Sequence, residues 1–152
     1  MSEYLRRDFR GERLSYNASD KIDKMEVGSR FEPAWDITTL TTGYEIKSVT
    51  ERKDHAIAKI LFKNTWEISG DQKFALEMRK DEIVEVHMLK VKGCWKISPP
   101  FYQPHVHPIP ILKHFEEIIQ DAKKSGEDNN YMHYIHSEMD NIRKYKNVME
   151  MR

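Results

Sequence analysis

DEIVEVHMLKVKGCWKISPP, residues 81–100, carries the clearest structural signal in this chain. Its apolar and polar residues alternate over residues 82–91, which is the pattern of a half-buried strand. Lys92 and Gly93 then favour a tight turn, and a return strand carries Trp95 until two consecutive prolines end it. The sequence therefore predicts a β-hairpin at this place, within an antiparallel sheet.

Two further strands are predicted ahead of this hairpin. Residues 37–54, ITTLTTGYEIKSVTERKD, are rich in β-branched residues and end in a charged turn. Residues 55–71, HAIAKILFKNTWEISGD, alternate as a half-buried strand does, and one face carries Ala56, Ala58, Ile60 and Phe62. Residues 72–81 are read as a connecting segment.

Helices are predicted at both ends of the chain. The first covers Ser2 to about Leu14, and the second covers residues 17–27 with Gly28 as its stop. After an extended connection over residues 101–108, a helix is expected to end at Gly126. The tail contains a second amphipathic helix with an apolar stripe formed by Tyr131, Ile135, Met139, Ile142 and Tyr145. It is expected to pair with the preceding helix as a hairpin, or with another chain.

Length and charge limit the classes of protein to which this chain can belong. The 152 residues suffice for one domain, and 25 Lys and Arg balance 25 Asp and Glu. This balance argues against nucleic acid as a partner, because phosphate backbones are bound mainly by an excess of Lys and Arg. The single Cys94 excludes an intrachain disulfide. We expect it to be a buried structural thiol rather than a nucleophile.

The sequence contains no signal for membrane insertion. No run of about 18 apolar residues is present, so no membrane span is predicted. Residues 1–30 contain no apolar segment of a secretory signal. A soluble protein is expected, and the compartment stays open between a cytoplasmic protein and an exported domain that lacks its signal segment.

Three segments resemble a known superfamily: EYLRRDFRGERLS (residues 3–15), EPAWDITTLTTGYEI (residues 32–46) and VKGCWKISPP (residues 91–100). Together they are similar to uncharacterised bacterial proteins of the NTF2-like (cystatin-like α+β) superfamily, which are often exported or lipid-anchored. The resemblance implies an α+β fold in which N-terminal helices pack on a curved antiparallel sheet that closes into a cone. It covers residues 1–107 and leaves residues 108–152 as a C-terminal helical extension packed on the same domain.

The resemblance also implies a pocket inside the cone. The candidate lining residues are Tyr4, Phe9, Trp35, Tyr44, Trp66, Met88 and Trp95. The three tryptophans are expected to lie in the core of the sheet. Enzymes of this superfamily, such as ketosteroid isomerases and polyketide cyclases, hold an Asp or His general base in this pocket.

Asp8 and His87 are the candidates for that acid or base. The ordinary interpretation is favoured for both: Asp8 as a carboxylate on the helix surface, and His87 as a side chain that faces outward. The strand pattern supports the second statement, because His87 shares one side of the strand with Glu85, while Val84, Val86 and Met88 form the apolar side.

Other histidines suggest a metal site, and for them too an ordinary structural interpretation is favoured. His133, His136 and Asp140 fall on one face of the last predicted helix, and two imidazoles with a carboxylate can bind a divalent metal ion. An exposed polar helix face is the commoner origin of this pattern, so we predict no metal and no other cofactor. His105 and His107 are expected in an exposed linker.

The function predicted from the sequence is that of a non-catalytic binding module. No GxGxxG, P-loop, HExxH or GxSxG motif occurs. The expected partner is a small apolar ligand or a protein, and a homodimer is a second arrangement that would cover an open sheet or the C-terminal helices. The alternative is a small-molecule enzyme of isomerase, dehydratase or hydrolase type that uses Asp8 or His87.

Overall fold

A computed structural model describes residues 1–14, 20–28, 38–68, 79–126 and 129–151. The described elements are α1 (Ser2–Phe9), α2 (Asp20–Asp23), β1 (Thr38–Leu40), β2 (Gly43–Arg52), β3 (His55–Ile68), β4 (Lys80–Val91), β5 (Cys94–Ile97), β6 (His105–Val106), α3 (Pro108–Ser125) and α4 (Asn129–Glu150). The fold is therefore α+β, as the sequence predicts. Trp35 and most of the predicted connecting segment lie outside the described residues.

The strands form one open, curved sheet in the order β5-β4-β3-β1-β6, and β2 also pairs with β3. β3 is long enough to pair with β2 and then with β1, while β4 pairs with it as well. β6 pairs with β1 in parallel, so the prediction of a wholly antiparallel sheet is wrong. The physical reason is the crossover after β5, which brings the chain to the far edge of the sheet in the direction of β1.

The β4–β5 hairpin is confirmed in position and in turn geometry. Lys92 and Gly93 have φ angles of 50° and 82°, which are the left-handed conformations of a two-residue type I′ turn. Cys94 follows this turn and is exposed, so the expectation of a buried thiol is wrong. The reason is its place at the end of an edge hairpin, where no element covers it.

A β-bulge at Asn64 decides which helices cover each part of β3. Asn64 has a φ of 52°, and the pairing with β4 shifts between Phe62 and Thr65. The extra residue reverses the side-chain alternation. Phe62 therefore faces the same side as Thr65, where α1 packs, and Trp66 faces the opposite side, where α4 packs.

The N-terminal helices are shorter than predicted. α1 ends at Phe9 because Gly11 adopts a φ of 76° and turns the chain; a methyl group there would lie 3.3 Å from Val106 Cγ1. α2 has only four residues instead of the predicted 17–27, of which 17–19 lie outside the described residues. Residues 25–27 instead exchange backbone hydrogen bonds with Ile97 at the edge strand.

The predicted C-terminal helical hairpin is confirmed. α3 ends at Gly126, which has a φ of 72°, and Ile119 of α3 packs against α4. The predicted stripe of α4 is buried at Ile135, Met139, Ile142 and Tyr145. Tyr131 is 42% exposed, because it lies in the first turn of α4, before the helix reaches the sheet. None of the described helices is both long enough and apolar enough to cross a membrane.

Acidification is expected to destabilise the start of α3 through His107. Its Nδ1 caps the helix by accepting the Ile109 N–H at 3.4 Å, and burial lowers the pKa of this imidazole. The unfolded chain therefore binds the proton more readily, so stability is lost as pH falls from the unfolded pKa of about 6.5 towards the lower folded pKa. The loss should reach at most about 1 kcal/mol, the contribution of a typical N-cap.

Urea unfolding between about pH 7.5 and about pH 5 measures this effect. His107→Asn keeps a capping oxygen that does not titrate, so its stability profile should lack this component. A variant profile that runs parallel to the wild-type profile would contradict the assignment.

Candidate functional site

The side of the sheet that α1 and α2 cover is filled by a hydrophobic core. Its buried members include Tyr4, Leu5, Ile22, Phe62 and Met88, and its partly buried members include Tyr44 and Trp95. Phe9 lies at the border of this core, with its ring 5.6 Å from that of Tyr44. One core cluster therefore contains four of the candidate pocket residues, namely Tyr4, Tyr44, Met88 and Trp95. Trp66 faces the C-terminal helices instead.

Asp8 is buried at the end of α1, with 1% of its surface exposed. The expectation of a helix-surface carboxylate is therefore wrong. The turn at Gly11 brings Arg13 back, so that its Nη1 lies 3.4 Å from Asp8 Oδ1. Asp8 Oδ2 accepts the backbone N–H of His105 at 3.2 Å. The carboxylate thus joins α1 to β6.

Burial has the largest influence on the ionisation of Asp8. It raises the pKa of Asp8, while Arg13 and His105 act in the opposite direction. Arg13 donates to the Tyr102 carbonyl at 2.8 Å and lies 4.9 Å from the centre of the Tyr102 ring. Tyr4 donates its hydroxyl to Glu26 Oε1 at 2.6 Å. The first contact joins the turn after α1 to the loop before β6, and the second joins α1 to the segment after α2.

The structure does not bring Asp8 and His87 together. His87 is half-buried on β4, opposite Ile57 and on the other face from Val86 and Met88. The interpretation of His87 as outward-facing is confirmed. An acid–base pair made from these two residues has no support in this geometry.

The candidate metal ligands on α4 lie at its surface. His133, His136 and Asp140 are exposed, and the Asp140 carboxylate lies 3.2 Å from Arg143 Nη1. Within the part of the chain that the structure describes, no three His, Cys, Asp or Glu side chains are grouped closely enough to hold a metal ion.

A cavity of about 270 Å³ lies where β1, β3 and β4 meet, and it is lined by Thr39, Thr65, Trp66, Glu67, Lys80, Glu82 and Gln103. The strand registers explain this lining. Thr39 pairs with Glu67 and Thr65 pairs with Lys80, so these side chains share one face of the sheet. The same face is apolar at Phe62, and it becomes polar beyond the bulge.

His105 lies beside Glu82 of this cavity wall and is 2% exposed. Its ring stacks on Phe62, with ring centres 3.9 Å apart. Nδ1 lies 2.8 Å from the Gln103 carbonyl, which only accepts, so Nδ1 carries hydrogen. Nε2 lies 3.6 Å from Glu82 Oε2 and has no hydrogen-bond partner. Glu82 itself lines the cavity.

The expectation that His105 lies in an exposed linker is therefore wrong. β6 has only two residues, and a strand this short leaves no alternating pattern in the sequence. Its burial comes from pairing with β1, which is distant in the chain. The only sequence signal available was the lack of a helix pattern between the prolines around it.

His105 also determines the charge of the cavity wall. The imidazole beside its carboxylate lowers the pKa of Glu82, and this outweighs the partial burial that raises it. Glu82 is therefore a carboxylate at neutral pH. Glu67 adds a second acidic side chain to the lining, and Lys80 adds one basic side chain. The site offers hydrogen-bond acceptors in excess over cationic donors.

No family model matches this chain, and no curated protein or solved structure matches it.

Proposed function

We propose that this chain is a non-catalytic ligand-binding module of the NTF2-like type, whose ligand is a small polar molecule bound in the cavity beside Glu82. One observation carries the proposal: a cavity of about 270 Å³ with a predominantly polar lining includes the Glu82 carboxylate in its wall. A concave site with a few convergent polar groups is where proteins usually bind small molecules.

The NTF2-like part of this proposal rests on three sequence segments and on the arrangement of elements. N-terminal helices pack on a curved sheet in which the long strand β4 and the short strand β5 form a hairpin. That this sheet closes into a cone is also part of the proposal.

The lining favours a polar ligand over the apolar ligand expected from the sequence. Six of its seven residues carry hydroxyl, amide, carboxylate or ammonium groups: Thr39, Thr65, Glu67, Lys80, Glu82 and Gln103. The apolar side chains that would bind an apolar ligand are used in the core. A volume of about 270 Å³ also suits a molecule smaller than a typical drug.

The alternative of an enzyme that uses Asp8 or His87 lacks comparable support. The Asp8 carboxylate is engaged by Arg13 and by the His105 backbone N–H. His87 lies on the face of β4 away from the core. Neither residue lines the cavity.

A fragment screen followed by ¹H–¹⁵N NMR tests the proposal. Small polar fragments should shift the backbone amide signals of Thr39, Thr65 and Gln103. Glu82→Ala should abolish these shifts, because it removes a carboxylate from the cavity wall. Glu85→Ala is the matched control: Glu85 is exposed on the other face of β4, so its loss should change nothing. Apolar fragments that shift signals around Tyr4 instead would refute a polar site.

A further inference from the structure

The charged side chains of the cavity follow a definite order along the strands. Lys80 on β4 lies opposite Thr65 on β3, and Glu82 lies two residues further along β4. Glu67 lies two residues beyond Thr65 on β3. Because β3 and β4 are antiparallel, Glu82 and Glu67 stand at opposite ends of this row. At about 3.3 Å per residue, two residues on each strand add up to about 13 Å along the row.

This order puts the one ammonium group of the lining between its two carboxylates. A ligand that reaches both Glu82 and Glu67 therefore has to pass Lys80. Carboxylates only accept hydrogen bonds, and an ammonium group only donates them. The row thus asks for donors at both ends of the ligand and for an acceptor between them.

Two threonines add hydroxyl groups in the buried part of the lining. Thr39 is 4% exposed, and its hydroxyl has no hydrogen-bond partner among the described residues. Thr65 is 3% exposed and donates its hydroxyl to the Lys80 carbonyl at 2.8 Å, so it can only accept from a ligand. The Thr39 hydroxyl is left with both a donor and an acceptor for a bound molecule.

We propose that the ligand is a neutral polyol of the sugar class, a carbon chain with a hydroxyl group on each carbon. This inference rests on the proposed function, because it names the ligand of the same cavity. Hydroxyls at the two ends donate to Glu82 and Glu67, and a hydroxyl between them accepts from Lys80. A further hydroxyl exchanges hydrogen bonds with Thr39.

A polyol fits this wall better than a charged or an apolar molecule. Each hydroxyl donates one hydrogen and accepts through two lone pairs, so neighbouring hydroxyls match a row in which acceptors and donors alternate. An anion would meet the carboxylates of Glu67 and Glu82, and a cation between them would meet Lys80. An apolar chain would leave the hydroxyl of Thr39 without a hydrogen bond.

Probes with six carbons separate these classes: the hexitols glucitol, mannitol and galactitol, the dianion glucarate, hexane-1,6-diamine and hexane-1,6-diol. At least one hexitol should give saturable shifts of the Thr39, Thr65 and Gln103 amides. The other three probes should bind at least about tenfold more weakly, because they lack the middle hydroxyls or carry charge. Hexitol affinity should be the same at about 0.01 M and about 0.15 M salt, because a neutral ligand has no charge to screen.

Matched variants test the individual contacts. Lys80→Met should weaken hexitol binding by at least about tenfold and should tighten binding of hexane-1,6-diamine, because it removes a donor and a positive charge. Thr39→Val keeps the shape and removes the hydroxyl, so it should weaken hexitol binding by about threefold to tenfold. Lys59→Met and Thr50→Val are the controls: both residues are exposed and lie outside the cavity, so hexitol binding should not change. Circular dichroism shows whether each variant is folded.

The possible failures are distinguishable. Tighter binding of the diamine, of glucarate or of the diol than of every hexitol overturns the polyol assignment, and so do shifts of the three amides by other polar fragments but by no hexitol. The proposed binding site stands in both cases. Hexitol binding that survives Lys80→Met overturns the contact with Lys80. If no polar fragment of any class shifts the three amides, the proposed function itself fails.

Discussion

Trp66→Ala is expected to lower the free energy of unfolding by about 3–5 kcal/mol, the usual cost of removing a large buried aromatic ring. Trp66 is 3% exposed and stacks on Tyr145, with ring centres 6.2 Å apart. It belongs to the core formed with Leu40, Val106 and Ile142, so its removal leaves a cavity between the sheet and the C-terminal helices. Urea unfolding followed by far-ultraviolet circular dichroism measures the change.

Trp95→Ala is the matched control for this prediction. Trp95 is only half-buried on the short strand β5, and the ammonium of Lys90 lies 5.6 Å from the centre of its ring. Its removal should cost roughly 1–2 kcal/mol, in proportion to the smaller buried area. Equal losses for the two variants would contradict the division of the tryptophans between a core and an edge position.

Asp8→Ala is expected to destabilise the protein by about 3–5 kcal/mol, because it removes a buried carboxylate that lies 3.4 Å from the buried guanidinium of Arg13. Arg13 is 4% exposed, and it also contacts the Tyr102 carbonyl and two aromatic rings. Asp8 also accepts the His105 N–H, so the variant loosens β6 as well. Chemical unfolding at neutral pH gives the value.

A double variant separates lost charge pairing from lost packing. Asp8→Leu with Arg13→Met removes both charges and keeps apolar volume, so it should recover more than half of the loss. Lys124→Ala provides the exposed control: its partner Asp121 is at the surface, and the change should stay below about 0.5 kcal/mol. A loss below about 1 kcal/mol for Asp8→Ala would show that the pair is not buried as described.

Much of the fold was predictable because it depends on local patterns. The β4–β5 hairpin follows from alternation and from a turn with Gly93 in a left-handed conformation. α3 and α4 follow from apolar spacing and from the stop at Gly126. Each of these signals lies within a few neighbouring residues.

The candidate site was not predictable because its parts are distant in the chain. Asp8 and His105 are 97 residues apart, yet one accepts a hydrogen bond from the other. The local sequence pattern predicts Asp8 on a helix surface and His105 in an exposed linker. Both are buried, because the turn at Gly11 and the pairing of β6 with β1 bring them together.

The sequence by itself determined that α1, α3 and α4 are helices, that β2, β3 and β4 are strands and where the main hairpin turns, because these depend on side-chain period and on turn residues. Only the tertiary structure decided that Trp66 faces α4 and that Glu82 meets His105 beside a cavity. The first depends on one extra residue in a bulge, which reverses every later side chain of β3. The second depends on a crossover that brings a two-residue strand to the far edge of the sheet.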